Sequence, residues 1–391
     1  MQNFVYDIPT KVFFGKWQIS HLVDQIKPFW NKILLTYGTW SIKKIWLYDQ
    51  IITLLKEKNI QYRELWDILP NPDISSVREG IELCKRNEIQ FILAVGGGSV
   101  IDASKAIALG YFYPGDPRDM FCKKTAITQA LPLGTILTLA ATGSEMDPYL
   151  VISDREKQEK RDYGNPIVLP KFSILDPTYT YSVSPKQTVA GIVDIMSHIF
   201  EQYFSPTSAT EVQDSIAEGL LQTCIYYGHQ VIADPENYDA RANLMRTSSL
   251  ALNGLLGLGK QQDRASHNIE HALSAVYNIT HGDGLAIIFP RRMEYVLWDG
   301  TNPIILDKFV DFARHVRHIH RIWDDLDIAR AGIEALRNFR SQIGAPRKLS
   351  DVDILLPDFD MLADKVVVNW SIGGFKSLEK KDIIDILQQC A

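Results

Sequence analysis

FILAVGGGSVIDASKAIAL, residues 91–109, decides the reading of the fold. An apolar run ends in Gly96, Gly97, Gly98 and Ser99, and a helical pattern opens near Asp102. Strand, glycine turn and helix in this order make half of a βαβ unit. Glycines let a backbone approach a pyrophosphate, and the free N–H groups of a helix N-terminus attract its charge. The motif is not GxGxxG, so a plain strand-to-helix turn stands as the competing reading of these residues alone.

Working outward, KILLTYG (32–38), the amphipathic SIKKIWLYDQIITLLKEKN (41–59), the helical pattern SSVREGIELCKRN (75–87) and the strand-like FSILDP (172–177) extend the alternation. Strand and helix periods taking turns predict a parallel sheet. From SPKQTVAG (184–191) onward, long helical patterns such as AEGLLQTCIYYGHQVIAD (217–234) and DIARAGIEALRNFRSQIG (327–344) dominate. The expectation is an α/β domain over 1–180 followed by an all-helical domain over 181–391.

A chain of 391 residues, 46% hydrophobic and 23% charged, has material for two cores. Its net charge of −6 offers no general attraction to nucleic acid or anionic lipid, which leaves a small molecule as the expected partner. Cys84, Cys122, Cys224 and Cys390 lack CxxC spacing, so neither a disulfide framework nor a thiolate metal site is expected. No basic leader and no apolar run of about 18 residues is present, and a cytoplasmic location is expected.

GIVDIMSHIF (191–200) places Asp194 and His198 one helical turn apart, on one face. RASHNIEHALSAVYNITHGDG (264–284) adds His267, His271 one turn on, and His281 where a Gly-Asp-Gly run interrupts the helical pattern. Three imidazoles and a carboxylate, Asp194, His198, His267 and His281, suit Fe²⁺ or Zn²⁺ better than Ca²⁺ or Mg²⁺. His315, His318 and His320 alternate with Arg314, Arg317 and Arg321, which would repel a cation, and read as a solvated helix face. In TLAATGSEMD (138–147), Thr138, Thr142 and Ser144 offer hydroxyls either to a cofactor or to local backbone capping.

In this order, NFVYDIPTKVFFG, GGGSVIDASKAIA, ATGSE, the Asp-x3-His pair, HxxxH, HGDGLAIIFP and SIGGFKSLEKKDIIDIL resemble the iron-containing alcohol dehydrogenases, in the branch of butanol dehydrogenases and broad-range aldehyde reductases. The resemblance covers nearly the whole chain. It implies a Rossmann-like N-terminal domain, a helical C-terminal domain, a homodimer and hydride transfer between NADP(H) and small primary alcohols or aldehydes. It also implies Asp194, His198, His267 and His281 as ligands of Fe²⁺ or Zn²⁺, and His271 as a nearby non-ligand fit for proton relay. Gly96, Gly97, Gly98, Ser99 and Asp102 would take the pyrophosphate, with Thr138, Thr142, Ser144 and Lys160 along the rest of the cofactor path.

Relatives that prefer NAD carry an acid at the position of Gly38. Its absence, with Ser41, Lys43 and Lys44 following, favours a 2′-phosphate. A zinc- and NAD-dependent polyol dehydrogenase is the alternative enzyme, and a metal- and dinucleotide-binding protein with impaired hydride transfer is the non-enzymatic one. The chain departs from the branch at Thr39 and Trp40, in place of glycines, and at Asp147, Pro148 and Tyr149 after ATGSE. The added carboxylate and phenol are expected to alter the charge and shape of the cofactor path.

Overall fold

Eight strands lie among the described residues of the computed structural model, which are 1–27, 30–122, 126–298, 301–367 and 370–391. They are β1 (Lys11–Phe14), β2 (Lys32–Tyr37), β3 (Gln61–Leu65), β4 (Phe91–Gly96), β5 (Leu133–Leu137), β6 (Tyr149–Asp154), β7 (Glu159–Gly164) and β8 (Phe172–Leu175). Six pair in parallel in the order β1-β8-β5-β4-β2-β3, and β6 and β7 form a separate antiparallel pair. Alternation along β2 explains why the sheet is covered on both faces: Leu34 joins one apolar cluster, with Ile92 and Val77, while Ile33 and Leu35 join the other, with Leu93 and Ile51.

The chain runs from β2 to β3 on one side and then crosses to β4 on the other, so the order switches between β2 and β4. Tyr37 pairs with Val95, which sets Gly38 and Gly96 side by side at the strand ends. Such a switch point is where open α/β sheets bind ligands. The helix Gly98–Gly110 follows β4 directly and is buried throughout except at Ser99.

The chain divides into two units. Asp7–Ser184 and Glu236–Ser249 make the α/β unit, while Met1–Tyr6, Pro185–Pro235 and Leu250–Ala391 make the helical one. In the helical unit, stacked rings of Phe200, Phe204, Phe289 and Phe309 form one part of the core. Ile269, Leu273, Ile287 and Leu362 anchor another. The His315 stretch differs from its expectation. One turn at Phe312–Val316 is helical, and the chain then leaves the helix, with His318 in a left-handed conformation. His315, His318 and His320 are exposed, as solvation requires.

Candidate metal centre and dinucleotide turn

Asp194 and His198 lie on the helix Pro185–Tyr203, His267 and His271 on Ala265–Tyr277, and His281 opens His281–Leu297. The HGDG run therefore starts a helix; the break falls before it, at Asn278 in the left-handed region. Gly282 needs its bare Cα, since a Cβ there would sit 2.1 Å from the Ala190 carbonyl oxygen. That close approach brings His281 up to the Asp194 helix.

Asp194 Oδ1 lies 3.2 Å from His198 Nε2, 3.6 Å from His281 Nε2 and 3.9 Å from His267 Nε2. Donors held about 2.1 Å from one ion in tetrahedral array would stand roughly 3.4 Å apart. Asp194 Oδ1 and His267 Nε2 are both buried without a hydrogen-bond partner among the described residues. A buried carboxylate oxygen facing a buried ring nitrogen is what a cation would satisfy, and the ligand set fits a divalent transition metal.

Two buried carboxylates orient the rings. Glu201 Oε2 takes His267 Nδ1 at 2.6 Å, and its Oε1 accepts the backbone N–H groups of Ser266 and His267. Glu270 Oε2 takes His281 Nδ1, and its Oε1 accepts the Ser274 hydroxyl. With Nδ1 as donor in each ring, Nε2 presents its lone pair toward Asp194.

Electrostatics agree. Burial pulls the His267 imidazole down, but Glu201 and Asp194 outweigh it and hold it at about 9. Burial pulls His198 down and prevails there. Asp194, which burial would raise, is held well below its usual range by His198 and His281. One carboxylate wants positive charge that three crowded imidazoles cannot all carry, and one divalent ion would supply it.

His271 is buried beside His281, their ring centroids 5.6 Å apart. It groups with Glu270 and His281, whereas the grouping around Asp194 contains His267 and His281. Glu201 and Glu270 escaped the sequence reading. Their signal was spacing: each lies three residues beyond a histidine of the set, on the same helical face.

In the α/β unit, Gly97 caps the helix Gly98–Gly110 without a side-chain bond, leaving the first N–H groups of the helix bare of side-chain acceptors. A Cβ at Gly96 would meet Val100 at 2.6 Å, and one at Gly98 would meet Thr142 at 2.4 Å, so close packing alone requires both glycines. Thr138 extends the β5–β4 ladder through its N–H to the Gly96 carbonyl, and the Thr142 hydroxyl accepts from the Ser144 N–H. Asp102 turns inward: its carboxylate accepts the Ser144 hydroxyl at 2.6 Å and the Val151 N–H at 2.9 Å. Lys160 sits in β7 opposite Ser153.

The departures after ATGSE are largely absorbed by the fold. Lys105 is buried, and its ammonium meets Asp147 Oδ1 at 2.9 Å as well as the Ser144 hydroxyl and the Asp147 and Tyr149 carbonyls. The added carboxylate thus neutralises an interior lysine. The Tyr149 ring lies over Gly164 of the paired strand β7, where a Cβ would stand 2.8 Å from it. At the end of β2, Lys43 Nζ lies over the rings of Tyr37, Trp40 and Tyr48, and half-exposed Trp40 leans on Trp66. Ser41 is exposed.

The family described as iron-containing alcohol dehydrogenase matches residues 9–177, and the C-terminal model of the Fe-containing alcohol dehydrogenase family matches 188–391. NADH-dependent butanol dehydrogenase A of Clostridium acetobutylicum is 46% identical over 391 residues, covering 100% of both chains. The NADPH-dependent aldehyde reductase YqhD of Escherichia coli is 39% identical over 90% of this chain and 89% of its own. Among solved structures, the NADH-dependent butanol dehydrogenase A of Thermotoga maritima superposes with a TM-score of 0.95 at 38% identity, over 100% of this chain and 99% of that one.

Proposed function

The chain belongs to the iron-containing alcohol dehydrogenase family, and from that premise we propose that it interconverts small primary alcohols and aldehydes, such as butanol and butanal, using NADP(H) and one Fe²⁺ or Zn²⁺. The convergence of three Nε2 atoms on Asp194 Oδ1 is the observation that carries this reading. Asp194, His198, His267 and His281 would hold the metal. When bound, the metal polarises the substrate oxygen as a Lewis acid, and the dinucleotide exchanges the hydride.

The chain's own residues do the rest. Glu201 and Glu270 hold the imidazoles in the tautomer that presents Nε2. His271 stands beside His281 as a proton carrier for the substrate hydroxyl. Gly96, Gly97, Gly98 and Ser99 expose backbone N–H groups to the pyrophosphate, with Thr138, Thr142 and Lys160 farther along the cofactor. Asp102 and Ser144 brace this turn from inside, through each other and Lys105.

Two observations bear on the dinucleotide. Gly38 carries no acid, and Lys43 stands at the end of β2 beside the switch point, which suits a 2′-phosphate. Against this, the butanol dehydrogenases that are 43–46% identical are named NADH-dependent. Steady-state kcat/KM for NADPH and NADH with butanal decides between them. A preference for NADPH is expected, and a preference for NADH would overturn the NADP(H) assignment and leave the alcohol dehydrogenase reading in place. Full activity in His267→Ala would overturn the metal site.

A further inference from the structure

We propose that the helical unit carries a phosphate-binding cleft, built on Arg340 and separate from the metal ligands. Its origin is a proline. Pro290 lies inside the helix His281–Leu297 and has no N–H, so the Ala286 carbonyl, four residues earlier, loses its helical partner. Arg340 Nη1 donates to that carbonyl at 3.1 Å, and the guanidinium lies over the Phe289 ring. This anchors the group and fixes its plane.

The remaining donors are unspent. Arg340 is 3% exposed, and its Nε and Nη2 are buried with no hydrogen-bond partner among the described residues. Burial alone lowers the guanidinium to about 9, with no carboxylate offsetting it. Charged donors left buried and unmatched are costly, and a bound anion would recover that cost.

Arg340 lines a half-open cleft together with Pro290, Arg291, Arg337, Pro346 and Arg347. Glu294 pairs with Arg291 and Arg337, at 3.1 and 2.5 Å, and Glu334 lies 3.9 Å from Arg337. Four guanidiniums against those two carboxylates leave a formal surplus near two, which suits a dianion better than a monocarboxylate. The cleft has room for about 40 Å³, against ~10–15 Å³ for one water, so it admits a phosphate group but not a whole nucleotide. The ligand is therefore free phosphate or the phosphate end of a small ester.

Calorimetric titration of the metal-loaded protein with inorganic phosphate, at constant ionic strength, tests this. The wild type should take up one phosphate per chain that both Arg340→Gln and Arg347→Gln weaken, the first by about tenfold or more. Arg347 is exposed, so its variant keeps the test valid if Arg340→Gln fails to fold. Arg63→Gln, exposed and in the α/β unit, should leave uptake unchanged. Glycerol phosphate run in parallel separates the sources: tighter binding than inorganic phosphate assigns the ester, and weaker binding assigns the free ion. The absence of saturable uptake, or uptake that neither Arg340→Gln nor Arg347→Gln changes, would overturn the proposal and leave the donors to water.

Discussion

Replacing Glu270 by glutamine alters the metal centre while touching none of the four candidate ligands. Glu270 is fully buried, and its two oxygens divide between His281 Nδ1 and the Ser274 hydroxyl. A glutamine carbonyl can still accept from Nδ1, and its amide can donate to Ser274, so ring orientation survives and only the negative charge is lost. Alanine removes both. Loss of such an outer partner costs roughly 10–100-fold in metal affinity, or about 1.4–2.7 kcal/mol. Glu270→Gln is therefore expected near the lower figure and Glu270→Ala near the upper. Glu201 is less informative, because its second oxygen also holds the start of the His267 helix through two backbone N–H groups. Competition for Zn²⁺ against a chelator reads the affinity, with far-ultraviolet dichroism checking the fold. Affinities within twofold of wild type in both well-folded variants would refute the claim that Glu270 aims His281 at the metal.

Two further outcomes concern the α/β unit. Burial raises Asp102 and Glu145 from 3.8 and 4.5 to about 7 each. Their protonated forms favour the folded state, so this contribution is complete below about pH 4 and is lost as the pH rises through 7, by roughly 2 kcal/mol per group between pH 5 and 8. Urea midpoints across that range should fall, and Glu145→Gln should flatten the slope; an unchanged slope would remove Glu145 from the account. Trp40→Ala strips the half-exposed ring beside Lys43 and Trp66. If adenine stacks there, KM for NADPH rises about tenfold with little change in kcat. A fall in KM would instead make Trp40 an obstruction.

The parallel architecture was legible because β2, β4 and β8 are short apolar runs beside turn signals. Edge strand β3, QYREL, alternates exposed and part-buried positions up to Leu65 and carries two charges, so no apolar run marks it. The pair β6–β7 hides in a charged stretch whose pairing is only visible once Tyr149 faces Gly164. The division between units was less legible for another reason: Glu236–Ser249 lies late in the chain but belongs with the sheet, where Met245 joins the β4 core. At the site, helical spacing showed Asp194 and His198 together. It could not show that Asp147 would be spent on Lys105, or that Asp102 would turn toward Val151, because both depend on partners more than 40 positions away.

Hydride transfer is expected to depend on a metal held by Asp194, His198, His267 and His281. The most direct test follows NADPH oxidation by butanal in one preparation: as purified, after chelation, and after addition of Fe²⁺ or Zn²⁺. Activity should disappear with the metal and return with it, with no return in His267→Ala. Undiminished turnover by protein shown to be metal-free would contradict this dependence.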